Sequence, residues 1–473
     1  MFRGFFIAVA LLAAPVAAQD APKNVIVMIA DGAGYDMLAA TRAWLGAPLQ
    51  VDRSDWQRAS MATYALRRTA EGEGQDAALV YDSAKAWDAR PLSGPSECAE
   101  GYELGYAGYE WHRCSYPDSA GTMSAMVTGV RTYNGAINVD GAGANVVSAA
   151  ETAKASGRRV GSISSVPFTH ATPAAGGGAH SESRRSYHEI ADEMLGTATL
   201  DFVAGGGNPD FDGDGRAFGP EATDQDRYEF LSAAAWAALK DGTSGWTLYQ
   251  KRADVQDLAK FGGDDRVIVI PEIKATLQME RAMPEGAGGA TNAPGDVPFN
   301  PAVPTLPELT RAALTHVAAG DKGFFLSIEG GAVDWAMHGN ALGRAIEEYI
   351  DFDNAVRAVE AWLDDPATPQ NWSNTLVIVT ADHDHLLTGP DADVPFQPVE
   401  ARGKGRLPGH KWWSGSHSSR LVPFYARGAG ADAVIAEADD VDMAKGADGM
   451  VRGRGAYLTQ PEMGRALIEF LAE

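Results

Sequence analysis

The sequence predicts an α/β protein: a large, mainly parallel sheet sandwiched between helices and interrupted by irregular insertions. Three observations predict it. Short, fully apolar runs recur along the chain and alternate with amphipathic helical stretches, the pattern of strands buried on both faces and joined by crossover helices. Four of those runs end in an acid or a His/Thr cluster. With 473 residues, 45% of them hydrophobic, the chain can build one large core, which excludes a disordered chain.

Arg3 precedes an apolar run from Phe5 to Ala18, and Val16-Ala17-Ala18 fits a small-residue cleavage site. Residues 1–18 therefore read as a signal peptide, the alternative being a buried first helix. The run is short for a bilayer span and contains no Cys for a lipid anchor. The expectation is an exported protein, periplasmic or secreted, without a membrane anchor, folding as a single domain over residues 19–473. Export permits disulfides, so Cys98 and Cys114 are expected to pair, the alternative being two free buried thiols.

Asn24–Ala30 (NVIVMIA) is the first strand and runs into Asp31-Gly32. Residues 41–117, rich in Gly, Trp and Tyr, read as a long insertion. A helix is predicted over Ser119–Val130, with Asp118 as its cap. Strands follow at Arg159–Ser165, which leads into Thr169-His170-Ala171-Thr172, at Asp201–Ala204 and at Arg266–Ile270. Gly323–Ile328 ends in Glu329-Gly330-Gly331, and Ala341–Leu363 has the periodicity of an amphipathic helix. Thr375–Thr380 leads into Asp382-His383. Residues 391–416 break the rhythm as a second insertion, in which Trp412 and Trp413 either pack or shape a site mouth. Leu421–Ala426 is the last strand.

Composition limits the partners. Lys and Arg number 39 against 63 Asp and Glu, a formal net charge of −24. Such a chain has no net attraction for nucleic acid or an anionic membrane. With only 2 Cys, cysteine-based zinc ribbons and iron–sulfur clusters are excluded.

The four strand-end clusters are Asp31, His170/Thr172, Glu329 and Asp382-His383. In open α/β sheets ligands bind beyond the carboxyl ends of strands, so four clusters there point to one shared site. Asp334 and His338 are one helical turn apart and can reach one ion. Asp382-His383 is a second Asp/His pair, and His417 is a further candidate ligand. Ser119 would open a helix, where free N–H groups favour an alkoxide and bind phosphate oxygens; the plain alternative is a cap. No Gly-x-Ser-x-Gly elbow accompanies it, so a metal must activate the serine. Arg184 offers a planar fork for two phosphoryl oxygens.

Together, Asp31-Gly32, Asp118-Ser119-Ala120, Thr172, Arg184, Glu329/Asp334/His338, Thr380-Ala381-Asp382-His383 and His417 resemble the alkaline phosphatase family in order and spacing over nearly the whole chain. The resemblance implies a large mixed sheet between helices and hydrolysis of small phosphate monoesters through a phosphoserine on Ser119. It implies two zinc ions, one held by Asp334, His338 and His417, the other by Asp382, His383 and Asp31. It implies a third ion, usually magnesium, held by Asp31, Glu329 and Thr172. Arg184, steadied by Asp118, would bind phosphoryl oxygens. His170 and Trp335 depart from the best-known bacterial members and stand beside the third site as supporting residues. A homodimer is also implied, which the two insertions could build or block.

Other readings are weaker. A phosphodiesterase or related phosphoryl hydrolase on the same scaffold usually has Thr as nucleophile and no equivalent of Arg184. A sulfatase needs Cys/Ser-x-Pro-x-Arg, and Ser115-Tyr116-Pro117-Asp118-Ser119 lacks the Arg. A catalytically silent metal- or phosphate-binding protein would not need Ser119 and Arg184. Independently, Asp210, Asp212 and Asp214 with Gly215 and Glu221 fit the spacing of a calcium loop, with a helix to follow from Thr223 towards Lys240. The alternative there is a solvated Asp/Gly turn.

Overall fold

The computed structural model describes residues 21–473 except 70–71, 75–78, 97, 99–103, 262–265, 283–292 and 447–448. The expected signal peptide, residues 1–18, lies outside the described residues. Among the described residues no helix is long and apolar enough to cross a membrane.

Fifteen strands are present among the described residues: β1 (Asn24–Ala30), β2 (Gln57–Ala62), β3 (Arg67–Thr69), β4 (Gly72–Gly74), β5 (Arg159–Pro167), β6 (Phe202–Gly206), β7 (Thr247–Tyr249), β8 (Val267–Val269), β9 (Phe324–Gly330), β10 (Thr375–Thr380), β11 (Asp384–Thr388), β12 (Lys411–Ser418), β13 (Val422–Gly428), β14 (Asp440–Asp442) and β15 (Gly455–Thr459). Eleven form one mixed sheet in the order β14-β15-β2-β13-β10-β1-β9-β5-β6-β8-β7. From β10 through β7 the strands run parallel.

β1 lies near the centre, and every one of its residues is buried. A strand with apolar side chains on both faces needs cover on both. Two groups of helices supply it. Tyr35–Leu45, Leu306–Val317 and Leu342–Leu363 pack together, as do Ser119–Thr128, Ala149–Ala155, Ala171–Gly176 and Gln460–Ala472. Crossover connections through such helices keep successive strands parallel.

Register decides where the site lies. Ile29 of β1 pairs with Glu329 of β9 on one side and Thr380 of β10 on the other. Ser164 of β5 is level with Glu329. Asp31, Glu329 and Asp382 therefore leave the sheet at the same height along its carboxyl edge.

The structure corrects several expectations. Residues 41–117 are not wholly an insertion, because β2 sits inside the main sheet beside β13. Its sequence, QRASMA, is buried over its second half alone and has no continuous apolar run to mark it. The last expected strand, β13, runs antiparallel to both β10 and β2. The chain reaches it from β10 through a two-stranded excursion, β11–β12, with no helical crossover to reverse its direction. The 391–416 segment is mostly the connection of that hairpin, and β12 begins inside it at Lys411. Trp413 is buried and packs on Tyr109, with its indole N–H donating to Thr388 Oγ1 at 2.9 Å, so it is a packing aromatic. Cys98 and Cys114 are joined in a disulfide.

The acids of the expected calcium loop rest on protein donors in this structure. Asp210 accepts from Lys240 Nζ at 3.0 Å and from the Trp236 indole at 3.1 Å. Asp212 caps its own turn, accepting from the backbone of Asp214 and Arg216, both at 2.9 Å. Asp214 pairs with Arg216 at 2.5 Å. None of the three, nor Glu221, belongs to a cluster of ligand atoms that could hold an ion among the described residues. The spacing is that of a cation loop, but protein N–H groups and cations already neutralise these acids. The helix expected beyond is broken into Asp224–Arg227 and Ala233–Lys240.

Candidate active site

Ser119 opens the helix Ser119–Thr128, which ends at Gly129 in the left-handed region, φ 71°. Asp118 caps it: its Oδ1 accepts from Gly121 N at 3.0 Å and from Gly135 N at 3.0 Å. Burial opposes ionisation of Asp118, but Arg184 and these two N–H groups outweigh it and hold the carboxyl below its ordinary value. The other oxygen, Oδ2, accepts from Arg184 Nη1 at 2.9 Å. One side chain thus starts the serine's helix and aims the arginine beside it.

Ser119 is 1% exposed, and its Oγ lies 3.1 Å from His383 Nε2 and 3.4 Å from Asp31 Oδ1. His383 Nε2 is also 3.2 Å from Asp31 Oδ1 and 3.4 Å from Asp382 Oδ2. Asp382 is fixed from several sides. Gly32 N donates to its Oδ1 at 3.0 Å, Thr122 Oγ1 to its Oδ2 at 3.2 Å, and the Gln460 amide to its backbone carbonyl at 2.7 Å. Gly32 has φ +71°, and a Cβ there would meet Met337 Cε at 2.8 Å, so the turn requires glycine.

A second group gathers on Asp334. His338 Nε2 lies 3.3 Å from its Oδ2, while His385 Nε2 and His417 Nε2 lie 2.6 Å and 3.3 Å from its Oδ1. His338 Nε2 and His417 Nε2 face each other at 3.0 Å. Their other nitrogens are held by backbone carbonyls, His338 Nδ1 by Gly415 at 2.7 Å and His417 Nδ1 by Pro117 at 2.8 Å. Imidazoles fixed through one nitrogen present the other as a ligand. Ligand atoms of Asp334, His383, His385 and His417 lie within 4.8 Å of one another, as do those of Asp31, Asp382 and His383.

The third group is all oxygen. Asp31 Oδ2, Glu329 Oε1 and Thr172 Oγ1 are buried, and none makes a hydrogen bond of sound geometry. Ser164 Oγ donates to the other Glu329 oxygen. Orphaned buried oxygens of this kind need a cation or protons.

The electrostatics point the same way. Burial, then Asp382, Asp334 and Glu329, push the Asp31 carboxyl well above the usual range. Burial lifts Glu329 to about 7, against partial relief from Ser164. Burial also works against the Asp334 carboxylate, but His338, His385 and His417 outweigh it and hold the group well below the usual range. Burial pushes His383 down to about 4 and His385 and His170 to about 3. These three imidazoles are therefore neutral, the form that binds metals. His338 goes the other way, to about 9, where Asp334 overcomes its burial.

His170 and Trp335 flank this site. Arg184 Nη2 lies 3.3 Å from His170 Nε2, and the His170 and Trp335 rings meet edge-on with centroids 5.4 Å apart. Asp118, His170, Arg184, Asp334, Trp335 and His338 line a cavity of about 480 Å³. The residues expected at the shared site are brought together here; the calcium-loop acids, Trp413 and the disulfide lie elsewhere. His385 was missed. Its signal was the alternation His383-Asp384-His385, which sends two imidazoles to one side of an extended segment. Its pairing opposite His417 in β11–β12 confirms that placement.

The family model for alkaline phosphatase matches residues 105–404. Alkaline phosphatase 4 of Bacillus subtilis is 32% identical over 271 residues, 56% of this chain and 49% of that protein. The chain thus spans about half the length of the Bacillus relatives it matches. The alkaline phosphatase of Escherichia coli is 29% identical over 401 residues, 80% of this chain and 74% of the relative. In fold, the alkaline phosphatase of the Antarctic bacterium TAB5 matches with a TM-score of 0.59 at 21% identity, covering 96% of this chain and 98% of its own. A mutant of that enzyme was solved with magnesium bound in its M3 site. The fold is a mixed-sheet α/β architecture whose carboxyl edge gathers carboxylate and imidazole groups able to hold metal ions. The chain belongs to the alkaline phosphatase family.

The buried acids set a pH dependence for protein stripped of metal. Glu329 moves from an ordinary 4.5 to about 7 on folding, so between those values the folded state holds more protons than the unfolded one. Stability then falls as pH rises from about 4.5 through 7. Thermal unfolding of chelator-treated protein should show that decline, and Glu329→Gln should flatten it. A wild-type slope identical to that of Glu329→Gln would refute the assignment.

Proposed function

We propose that this protein hydrolyses phosphate monoesters through a phosphoserine on Ser119. The observation that carries the reading is the position of Ser119 Oγ. It lies at the start of a helix, against His383 and Asp31, beside an arginine held by the residue preceding the serine.

The donor sets fit the ions implied. Asp334, His338 and His417 would hold one zinc, and Asp31, Asp382 and His383 a second, since both sets combine carboxylate with imidazole. Asp31, Glu329 and Thr172, oxygen donors alone, would hold magnesium, the ion bound at the M3 site of the TAB5 mutant. When bound, such ions lower the pKa of a coordinated hydroxyl and stabilise charge on entering and leaving oxygens.

The protein's own residues do the rest. Ser119 Oγ attacks phosphorus, forming the Oγ–P bond as the bond to the leaving oxygen breaks and an alcohol departs. Arg184 binds two non-bridging oxygens with its fork, oriented through Asp118. Water then cleaves the Oγ–P bond, releasing inorganic phosphate and restoring the serine. Neutral His170 accepts from Arg184 without adding charge near the phosphoryl group. His385 donates to Asp334 and fixes that carboxylate. Little of this machinery reads the leaving group, so broad monoester specificity follows. Serine at 119 and the presence of Arg184 favour monoesters over diesters. Export through a signal peptide, a single domain over residues 19–473 and a homodimer belong to the same reading.

Ser119→Ala should lower kcat for p-nitrophenyl phosphate by orders of magnitude while leaving fold and zinc content intact. Acid quench of wild type should trap phosphate on Ser119, and phosphate on another residue would sink the proposal. Faster turnover of bis-p-nitrophenyl phosphate than of the monoester would favour the diesterase alternative.

Arg184→Ala should cost about 2–4 kcal/mol in kcat/KM, as expected for a lost charge-assisted bidentate contact. Inhibition by inorganic phosphate should weaken in parallel. Unchanged phosphate inhibition would show that the arginine has another role.

A further inference from the structure

Behind the candidate active site lies a second ionic group, formed by Asp36, Asp384 and Arg420, all buried. Arg420 Nη2 lies 2.6 Å from Asp36 Oδ2. Arg420 Nη1 lies 4.0 Å from Asp384 Oδ2 and donates to the Leu387 carbonyl at 3.0 Å. Ser418 Oγ donates to Asp384 Oδ2 at 2.6 Å. The backbone of Gly34 presses on the same carboxylate from the other side, where a Cβ would lie 1.6 Å from Asp384 Oδ1.

The positions of these residues give the group its interest. Asp36 stands in the first turn of the helix Tyr35–Leu45, directly after the loop that carries Asp31. Asp384 separates His383 from His385. Ser418, which pairs with Asp384 across β11–β12, follows His417. Arg420 therefore joins the turn that presents one candidate ligand to the hairpin that presents three others. Across this joint runs the Asp31–His383 contact, 3.2 Å long, on which Ser119 Oγ also rests.

We propose that Arg420, forked between the Asp36 carboxylate and the Leu387 carbonyl with Asp384 alongside, is a positioning residue that fixes the Asp31 turn against the β11–β12 hairpin and so sets the gap between the two Asp/His ligand groups. Without its cation the joint would leave two buried carboxylates facing each other, and the turn and hairpin would separate. Without its fork, either Asp36 or the Leu387 carbonyl of β11 would lose its tether. Either change moves Asp31 relative to His383 while leaving the main sheet as it is. The proposal rests on the phosphatase reading for its catalytic consequence, and on the protein alone for its effect on metal binding.

The test compares wild type with Arg420→Lys, which keeps the charge and loses the fork, and with Asp36→Asn, which keeps the shape and loses one charge. Two readouts are taken on the full-length holoprotein and its chelator-stripped form: the rise in Tm on adding zinc, and kcat and KM for p-nitrophenyl phosphate. Both variants should fold with a metal-free Tm close to that of wild type, yet gain less from zinc. Their kcat should fall about tenfold or more, since small misplacements of reacting groups are costly, with KM nearly unchanged. An undiminished zinc-induced rise in Tm with unchanged kcat would overturn the proposal. An equal loss of Tm with and without zinc, with kcat intact, would reduce the group to a structural role and also overturn it. Failure of both variants to fold counts against it too, because positioning predicts a folded chain with misplaced ligands. If wild type itself does not turn over the ester, the phosphatase reading falls, and the zinc-induced Tm shift still decides the role of Arg420.

Discussion

Everything about this molecule turns on four buried carboxylates, Asp31, Glu329, Asp334 and Asp382, brought together at the carboxyl edge of one sheet. Buried charge is tolerated only when it is paired or neutralised, and uncompensated like charges repel strongly at low dielectric. Protein donors answer part of this demand. Asp334 has three imidazoles, and Asp382 has Gly32 and Thr122. Asp31 and Glu329 each keep an oxygen without a partner. The fold thus places unpartnered buried oxygens next to a serine hydroxyl and a guanidinium, and on the proposed reading these take up cations and, through them, a phosphoryl group.

That demand explains why the surrounding structure is so tightly specified. The central strands must end level with one another, which the parallel pairing of β1 with β9 and β10 secures. The turn after β1 must pass close to Asp382 and Met337, hence glycine at 32 with positive φ. The hairpin β11–β12 must bring His417 opposite His385, and Arg420 ties that hairpin back to the β1 turn. In a chain of net charge −24, Arg184 keeps its cation in the site because Asp118 holds it there, close to the helix that Ser119 begins.

Much of this was legible in the residues. β1 and β10 lie where the sequence places them, because strands buried on both faces keep an uninterrupted apolar stretch, VIVMIA and LVIV, within their bounds. The acids that follow them stand out against that background. β2, β14 and β15 were not legible: QRASMA, DVD and GAYLT lie in the part of the sheet where burial is partial and no apolar run forms. The Asp36–Arg420 pair joins residues 384 positions apart, and no local pattern announces such a contact. The loop at 210–221 shows the converse. Its acids have the spacing of a cation loop, yet Lys240, Arg216 and backbone N–H groups reach them first.

The account stands or falls on where cations bind. Anomalous diffraction at the zinc absorption edge, from crystals of the holoprotein, measures this directly. The account predicts one peak among Asp334, His338 and His417, another among Asp31, Asp382 and His383, and none at residues 210–221. Protein that hydrolyses phosphate monoesters at full rate and shows no peak at either Asp/His group would contradict it.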